Sequence, residues 1–252
     1  MRFARLGLAP DRTVFAELDR DLRAELLDDA PWRGGKRTGE RVQATEDQLR
    51  APIVPGKIVC VGRNYAAHAK ELGNAVPTEP LLFLKPPSAV IGPGESIVTP
   101  SMSERVEHEA ELGVVIGRRC RSVSRDSVSE YILGYTVLCD VTARDLQKKD
   151  VQFTRAKGFD TFCPAGPWIE TELDPTDVEI VCTVSGKERQ RGTTRDMIFP
   201  VATLVAFISE VMTLEPGDVI STGTPEGVGP LVRGDALEIS ISGIGTLRCP
   251  VR

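Results

Sequence analysis

The sequence predicts a β-rich α+β fold, a small N-terminal part followed by a larger part that carries the chemistry, and three observations predict it. Gly (23) and Pro (18) punctuate the 252 residues often enough to require many short elements. The C-terminal stretch alternates, with Leu237, Ile239 and Ile241 set against Glu238, Ser240 and Ser242, a turn around Gly243-Ile244-Gly245, and Leu247, Cys249 and Val251 resuming the pattern. Ile58, Val59, Cys60 and Val61 form a continuous apolar run of the kind that marks a buried strand.

Taken in order, the first fifty residues alternate short apolar stretches with polar ones and pass through PWRGGKRTGER, which reads as a loop or hairpin tip. The pattern changes at APIVPGKIVCVG, so the boundary falls near residue 52, giving a small N-terminal domain over 1–52 and a larger one over 53–252. RNYAAHAKELG is helical with Gly73 as C-cap, and a Pro-rich connection leads to the strand LLFLK. HEAELGVVIG is strand-like, SRDSVSEYI helical, and GYTVLCDV a strand. TARDLQKKD reads as a short helix, because Thr142 and Asp145 have capping-box spacing. VEIVCTVSGKERQRG reads as a hairpin turning at Ser185-Gly186, and PVATLVAFISEVMTL as a buried helix with Pro200 as its first residue.

The bulk properties exclude several functions. A net charge of −5 without a dense Lys/Arg block argues against nucleic acid as a partner. No run approaches the ~18 apolar residues of a membrane span, and a charge interrupts the place where a signal sequence needs its apolar stretch, so a cytoplasmic location is expected. The six cysteines, at 60, 120, 139, 163, 182 and 249, form no CxxC and read as buried small hydrophobes in a reducing compartment.

Chemistry concentrates in a few places. On a strand, Glu107, Glu109 and Glu111 share one face and His108, Ala110 and Leu112 the other. Carboxylates so spaced repel unless a cation lies between them or water screens them, and a solvated strand face is the plain alternative. Asp140 ends an apolar run, where an unpaired carboxylate is costly, and a helix carrying Arg144 and Gln147 follows it. Three carboxylates without cysteine make a hard ligand set suited to Mg²⁺, Mn²⁺ or Ca²⁺ rather than zinc. His68 and Glu71, three apart on a helix, lie on one face, where the carboxylate can orient the imidazole as a general base for water; a surface pair is the alternative. Lys157, expected on a loop, is either solvated or a second positive charge for an anionic substrate. STGTPEGVG lacks the GK[ST] of a P-loop, and its backbone N–H groups with the Thr222 and Thr224 hydroxyls suit a carboxylate or oxyanion.

Read in order, GRNYAAHAKE, EPLLFLKP, HEAELGVVIG, GYTVLCDVTARDLQ, KGFDTFCPAGPW and STGTPEGVG resemble the fumarylacetoacetate hydrolase family over roughly residues 55–252. The resemblance implies a mixed β-roll or β-sandwich catalytic domain behind a small N-terminal domain, assembled as a homodimer. It implies Glu109, Glu111 and Asp140 as ligands of Mg²⁺ or Mn²⁺, Arg144 and Thr224 as substrate-binding residues, and Gln147 and Lys157 as catalytic ones. It also implies a lid dyad of His68 and Glu71, as in the smaller members that resemble acylpyruvate hydrolase and oxaloacetate decarboxylase. A further upstream metal-ligand Asp of fumarylacetoacetate hydrolase itself has no match here, which argues against fumarylacetoacetate as substrate. The implied activity is cleavage of a C–C bond in a short anionic 2-oxo acid, an acylpyruvate or oxaloacetate, through a metal-bound enolate. The alternative is an isomerase or decarboxylase of 2-hydroxyhepta-2,4-diene-1,7-dioate type in aromatic catabolism.

Overall fold

Alternation at the start of the chain becomes a meander of four antiparallel strands, β1 (Arg2–Ala9), β2 (Arg12–Leu18), β3 (Arg23–Leu27) and β4 (Arg37–Gln43), with β5 (Leu49–Arg50) paired to β1. The computed structural model describes residues 1–252. Ala4, Leu6, Ala16, Leu18, Ala24 and Leu26 point inwards as the two-residue period requires and pack with Leu49. Only part of PWRGGKRTGER is loop. Pro31–Arg33 form a short 3-10 turn, but Arg37 onwards is strand β4, paired from Arg23↔Gln43 to Leu27↔Arg37. This strand is an exposed edge whose Arg37 and Arg41 pair with Glu17 and Glu25, so its polarity reflects solvation and not irregular backbone.

The larger part continues with β6 (Ile58–Gly62), α1 (Ala66–Glu71), β7 (Leu81–Lys85), β8 (Val90–Ile91), β9 (Val106–His108), β10 (Ala110–Ile116) and β11 (Ile132–Cys139). Then follow β12 (Thr142–Ala143), α2 (Arg144–Lys149), α3 (Thr154–Lys157), β13 (Cys163–Glu170), β14 (Glu179–Val184) and β15 (Lys187–Thr193). The chain closes with α4 (Val201–Val211), β16 (Val219–Ser221), β17 (Gly229–Pro230), β18 (Ala236–Ile241) and β19 (Gly245–Pro250). The main sheet has the order β4-β3-β2-β1-β13-β11-β10-β16-β6-β7, so the first fifty residues share hydrogen bonds with the remainder through Arg2↔Glu170 and Phe3↔Ile169. A second sheet, β15-β14-β18-β19, packs across it, and Ile180, Leu237, Ile239 and Leu247 share one core with Leu112, Val114 and Val137. A small third sheet, β12-β9-β17, flanks the site.

The tail and the Ser185-Gly186 hairpin form as expected, both turn residues having positive φ (50° and 76°), which matches the twist of the flanking strands. All six cysteines are free and buried. Three local details differ. SRDSVSEYI is 3-10 rather than α-helical, over Arg125–Tyr131. Pro200 is the N-cap of α4, one residue before the helix starts. The capping box at Thr142 does not form: Ala143 is the N-cap of α2, Thr142 donates to the Asp140 carbonyl, and the Asp145 carboxylate accepts from Ser103 Oγ and Glu104 N–H. Packing of the Asp140 segment against the site outweighs a local cap worth about 1 kcal/mol.

Candidate metal centre

Strand pairing brings the three acids together. β10 and β11 run antiparallel with Ala110 opposite Cys139, and the Asp140 N–H donates to the Glu109 carbonyl at 2.9 Å. Glu109 itself interrupts the strand between β9 and β10, yet the alternation holds: Glu107, Glu109 and Glu111 all line one cavity of about 480 Å³, while His108 turns away towards Gln190. One carboxylate oxygen from each of Glu109, Glu111 and Asp140 lies within 4.8 Å of the others, and all three residues are buried. The solvated strand face is thereby excluded.

Cations compensate most of this charge. Lys157 Nζ donates to Glu109 Oε2 at 2.7 Å and to Asp140 Oδ2 at 2.5 Å. Lys157 is not on a loop: it ends the single turn of α3 and is 2% exposed, so its ammonium belongs to the cradle wall. Arg144 donates from Nε to Glu107, from Nη2 to Glu109 and from Nη1 to Gln147 Oε1, which leaves two of its N–H groups and the Gln147 amide NH₂ for a ligand. Glu107 is held by Arg144 and Arg105 together and is not part of the acidic triad. Lys85, which the sequence reading passed over, is fully buried and donates to Asp140 Oδ1 at 2.5 Å and to the Val141 carbonyl. A lysine closing the apolar run LLFLK was the available signal, since a buried ammonium must find a partner.

Glu111 differs. Its Oε2 accepts only neutral donors, Ser221 Oγ at 2.5 Å and the Gly223 N–H at 2.8 Å. Burial and the nearby charges of Asp140 and Glu109 push its carboxyl up to about 8. For Glu109 burial acts in the same sense, but the Lys157 and Arg144 charges outweigh it and hold the carboxyl well below the usual range. Against the cost of its burial, Asp140 and Glu109 likewise hold the Lys157 ammonium above its ordinary value. The triad therefore offers hard oxygen donors and lacks one positive charge beside Glu111, which fits a small divalent cation.

The wall over the triad is built from α1 and the loop after β16. His68 is buried in the cavity with Nδ1 at 3.2 Å from Glu71 Oε2; a carboxylate only accepts, so Nδ1 carries the proton and Nε2 is the basic nitrogen. Glu71 Oε1 accepts the Gly227 N–H, tying α1 to the loop. The STGTPEGVG loop does meet a carboxylate, but it is the protein's own Glu111. Thr222 Oγ1 donates to the Leu112 carbonyl, and Thr224, which lines the cavity, donates to the Ala110 carbonyl while accepting from Gln190 Nε2. Gln190, not anticipated from the sequence, also accepts the Ala110 N–H and pairs with His108 Nδ1, so it clamps the loop to β10. It lies in the exposed-looking KERQRG, whose composition hides it.

Fold and site together define an enzyme whose acidic cradle lies inside a mixed β fold, roofed by a histidine–carboxylate pair. Residues 57–252 match the family described as fumarylacetoacetate (FAA) hydrolase C-terminal, and residues 1–52 the one described as Rv2993c-like, N-terminal. The chain belongs to the fumarylacetoacetate hydrolase family. It is 48% identical over 201 residues to the mitochondrial oxaloacetate tautomerase FAHD1 of Arabidopsis thaliana, spanning 77% of this chain and 90% of that one. It is 47% identical over 197 residues to the mitochondrial oxaloacetate decarboxylase of Dictyostelium discoideum, spanning 75% and 90%. The crystal structure of 2-hydroxyhepta-2,4-diene-1,7-dioate isomerase from Mycobacterium marinum superposes with a TM-score of 0.91 at 45% identity, covering 100% of this chain and 98% of the other. No helix is long and apolar enough to cross a membrane.

Proposed function

We propose that this chain is a divalent-metal-dependent enzyme that breaks a C–C bond in a short 2-oxo acid, an acylpyruvate or oxaloacetate. The observation that carries the reading is the convergence of Glu109, Glu111 and Asp140, with one carboxylate short of a cation, in a cavity that His68 also lines. A divalent cation bound there supplies a Lewis acid for the oxygens of a 2-oxo acid. Lys157 and the amide NH₂ of Gln147 face the same cavity and stabilise negative charge on the substrate oxygen as the bond breaks. For an acylpyruvate, His68 Nε2 takes a proton from water while Glu71 steadies the imidazolium, the hydroxide so formed adds to the distal carbonyl, the C3–C4 bond breaks, and the imidazolium returns the proton to C3, giving pyruvate and a carboxylic acid. Oxaloacetate needs no water as nucleophile: its C3–C4 bond breaks, CO₂ leaves, and C3 of the resulting enolate takes up a proton to give pyruvate. Arg144 keeps Glu109 and Gln147 in place, and Phe83 and Phe153 form an apolar side of the cavity.

The second reading is isomerisation of a 2-hydroxyhepta-2,4-diene-1,7-dioate, favoured by the full-length match to a protein of that name. Assays of oxaloacetate, acetylpyruvate and a hydroxymuconate analogue, side by side with Mg²⁺ and Mn²⁺, separate the two. Metal-dependent release of pyruvate from either of the first two supports the first reading. Turnover of the diene alone replaces it with the second.

A further inference from the structure

Five lysine and arginine side chains line the cavity, and their partners differ. Arg105 is paired with Glu107, Arg144 with Glu107 and Glu109, and Lys157 with Glu109 and Asp140. Arg63 lines the same cavity, is half-buried, and has no ion pair or hydrogen bond with another side chain. A partly desolvated guanidinium without an acceptor is costly, so the pocket presents a cation that an anionic ligand completes. Lys148 is also unpaired, but it lies exposed on the outer turn of α2.

The backbone holds Arg63 there. Its φ is +58°, a left-handed conformation that non-glycine residues rarely adopt. The neighbouring Asn64 fixes it: the Asn64 side chain donates to the carbonyls of Phe199 and Thr222 and accepts the Phe199 N–H, and its own carbonyl accepts the Ile198 N–H. Strand β7 gives the distance. Lys85 at its inner end touches Asp140, and Leu81 at its outer end is paired with Gly62, the residue before Arg63. Four residue steps separate those ends, about 13 Å along the strand, and Arg63 lines the cavity from the outer one. An anionic group several bonds beyond the cradle therefore meets Arg63, while Leu72 and Leu81 are the apolar neighbours it has to pass.

We propose that Arg63 sets substrate class by binding the distal carboxylate of a dicarboxylic 2-oxo acid whose 2-oxo carboxylate end sits at the Glu109–Glu111–Asp140 cradle. This rests on the site reading given above, and it favours dicarboxylates over acylpyruvates with a neutral tail. The test is calorimetric binding of 2-oxoadipate and of pyruvate to the full chain with Mn²⁺ present; neither probe has a bond for the site to cleave. Wild type should bind 2-oxoadipate at least about tenfold more tightly than pyruvate. Arg63→Asn, chosen because asparagine tolerates left-handed backbone, should bring that ratio to within about threefold, and Arg63→Lys should leave it intermediate. No preference in wild type, or a ratio unchanged in both variants, overturns the proposal. If Arg63→Asn lowers the melting temperature sharply, the ratio in Arg63→Lys decides alone, a full wild-type ratio counting against the proposal. Absence of turnover with every 2-oxo acid would sink the reaction assigned above while leaving the affinity ratio to decide the role of Arg63.

Discussion

Glu109 and Glu111 are two residues apart in one segment, yet the two flanks of the cradle they form have opposite surroundings. On the Glu109 flank, Arg144 and Lys157 supply two positive charges at 2.6 and 2.7 Å; on the Glu111 flank, the only hydrogen-bond donors are a serine hydroxyl and a backbone N–H. The first carboxylate is held low and the second is pushed up to about 8 by burial and by its acidic neighbours. A saturated flank fixes geometry, and an unsaturated flank leaves room for one more charge. The cradle is thus asymmetric, and a cation of the kind proposed above fits beside Glu111.

Asp140 spans both flanks, and its replacement should have the largest effect. Asp140→Ala leaves Lys85 and Lys157 without their shared acceptor and should cost about 3–5 kcal/mol of stability, read as a lower melting temperature, in addition to loss of activity. The two buried lysines are the reason that the alanine variant should lose fold stability as well as turnover. Asp140→Asn, with a smaller stability loss, should still reduce turnover by at least about 10³-fold. Retention of wild-type rates in the asparagine variant removes the cradle from the mechanism.

His68→Ala comes next. Hydrolysis of acetylpyruvate should fall by about 10²–10⁴-fold, whereas Mn²⁺ affinity should change little and oxaloacetate decarboxylation much less than hydrolysis. Equal losses for both substrates would show that the imidazole does more than activate water. The smallest effect is expected from Gln190→Leu, which frees the Thr224 loop from β10 and leaves the Ala110 N–H without its acceptor. A stability loss of about 1–3 kcal/mol in denaturant unfolding should accompany a modest fall in rate. Loss of all metal binding in that variant would mean that the loop, and not the triad, governs the site.

How much of this was legible follows from the range of each interaction. The ExE face, the His68–Glu71 pair and the Ser185-Gly186 turn are set by residues within four positions of one another, and periodicity exposes them. Asp140 stood out because a carboxylate ending an apolar run demands compensation. Lys85 and Gln190 act across 34 residues or more of chain and Arg63 through backbone conformation; the apolar run before Lys85 is a local signal, but nothing local distinguishes Arg63 or Gln190 from ordinary surface residues. Strand β4 and Lys157 were misread because their partners are distant in sequence: β4 is solvated yet pairs with β3, and Lys157 is buried against Glu109 and Asp140.

The most direct measurement is Mn²⁺ titration of metal-stripped protein by calorimetry at pH 6 and pH 8, for wild type and Glu111→Gln. A carboxyl raised to about 8 binds its proton in the folded state, so below that pH the cation has to displace it; affinity should rise by roughly tenfold per pH unit from 6 to 8 with proton release at pH 6. By the same sign, metal-free wild type should lose stability as pH rises from 4.5 to about 8, and Glu111→Gln should not. The account predicts one Mn²⁺ per wild-type chain and at least about 100-fold weaker binding in Glu111→Gln, with its fold intact. Unchanged Mn²⁺ affinity in Glu111→Gln, or no binding by wild type at either pH, would contradict it.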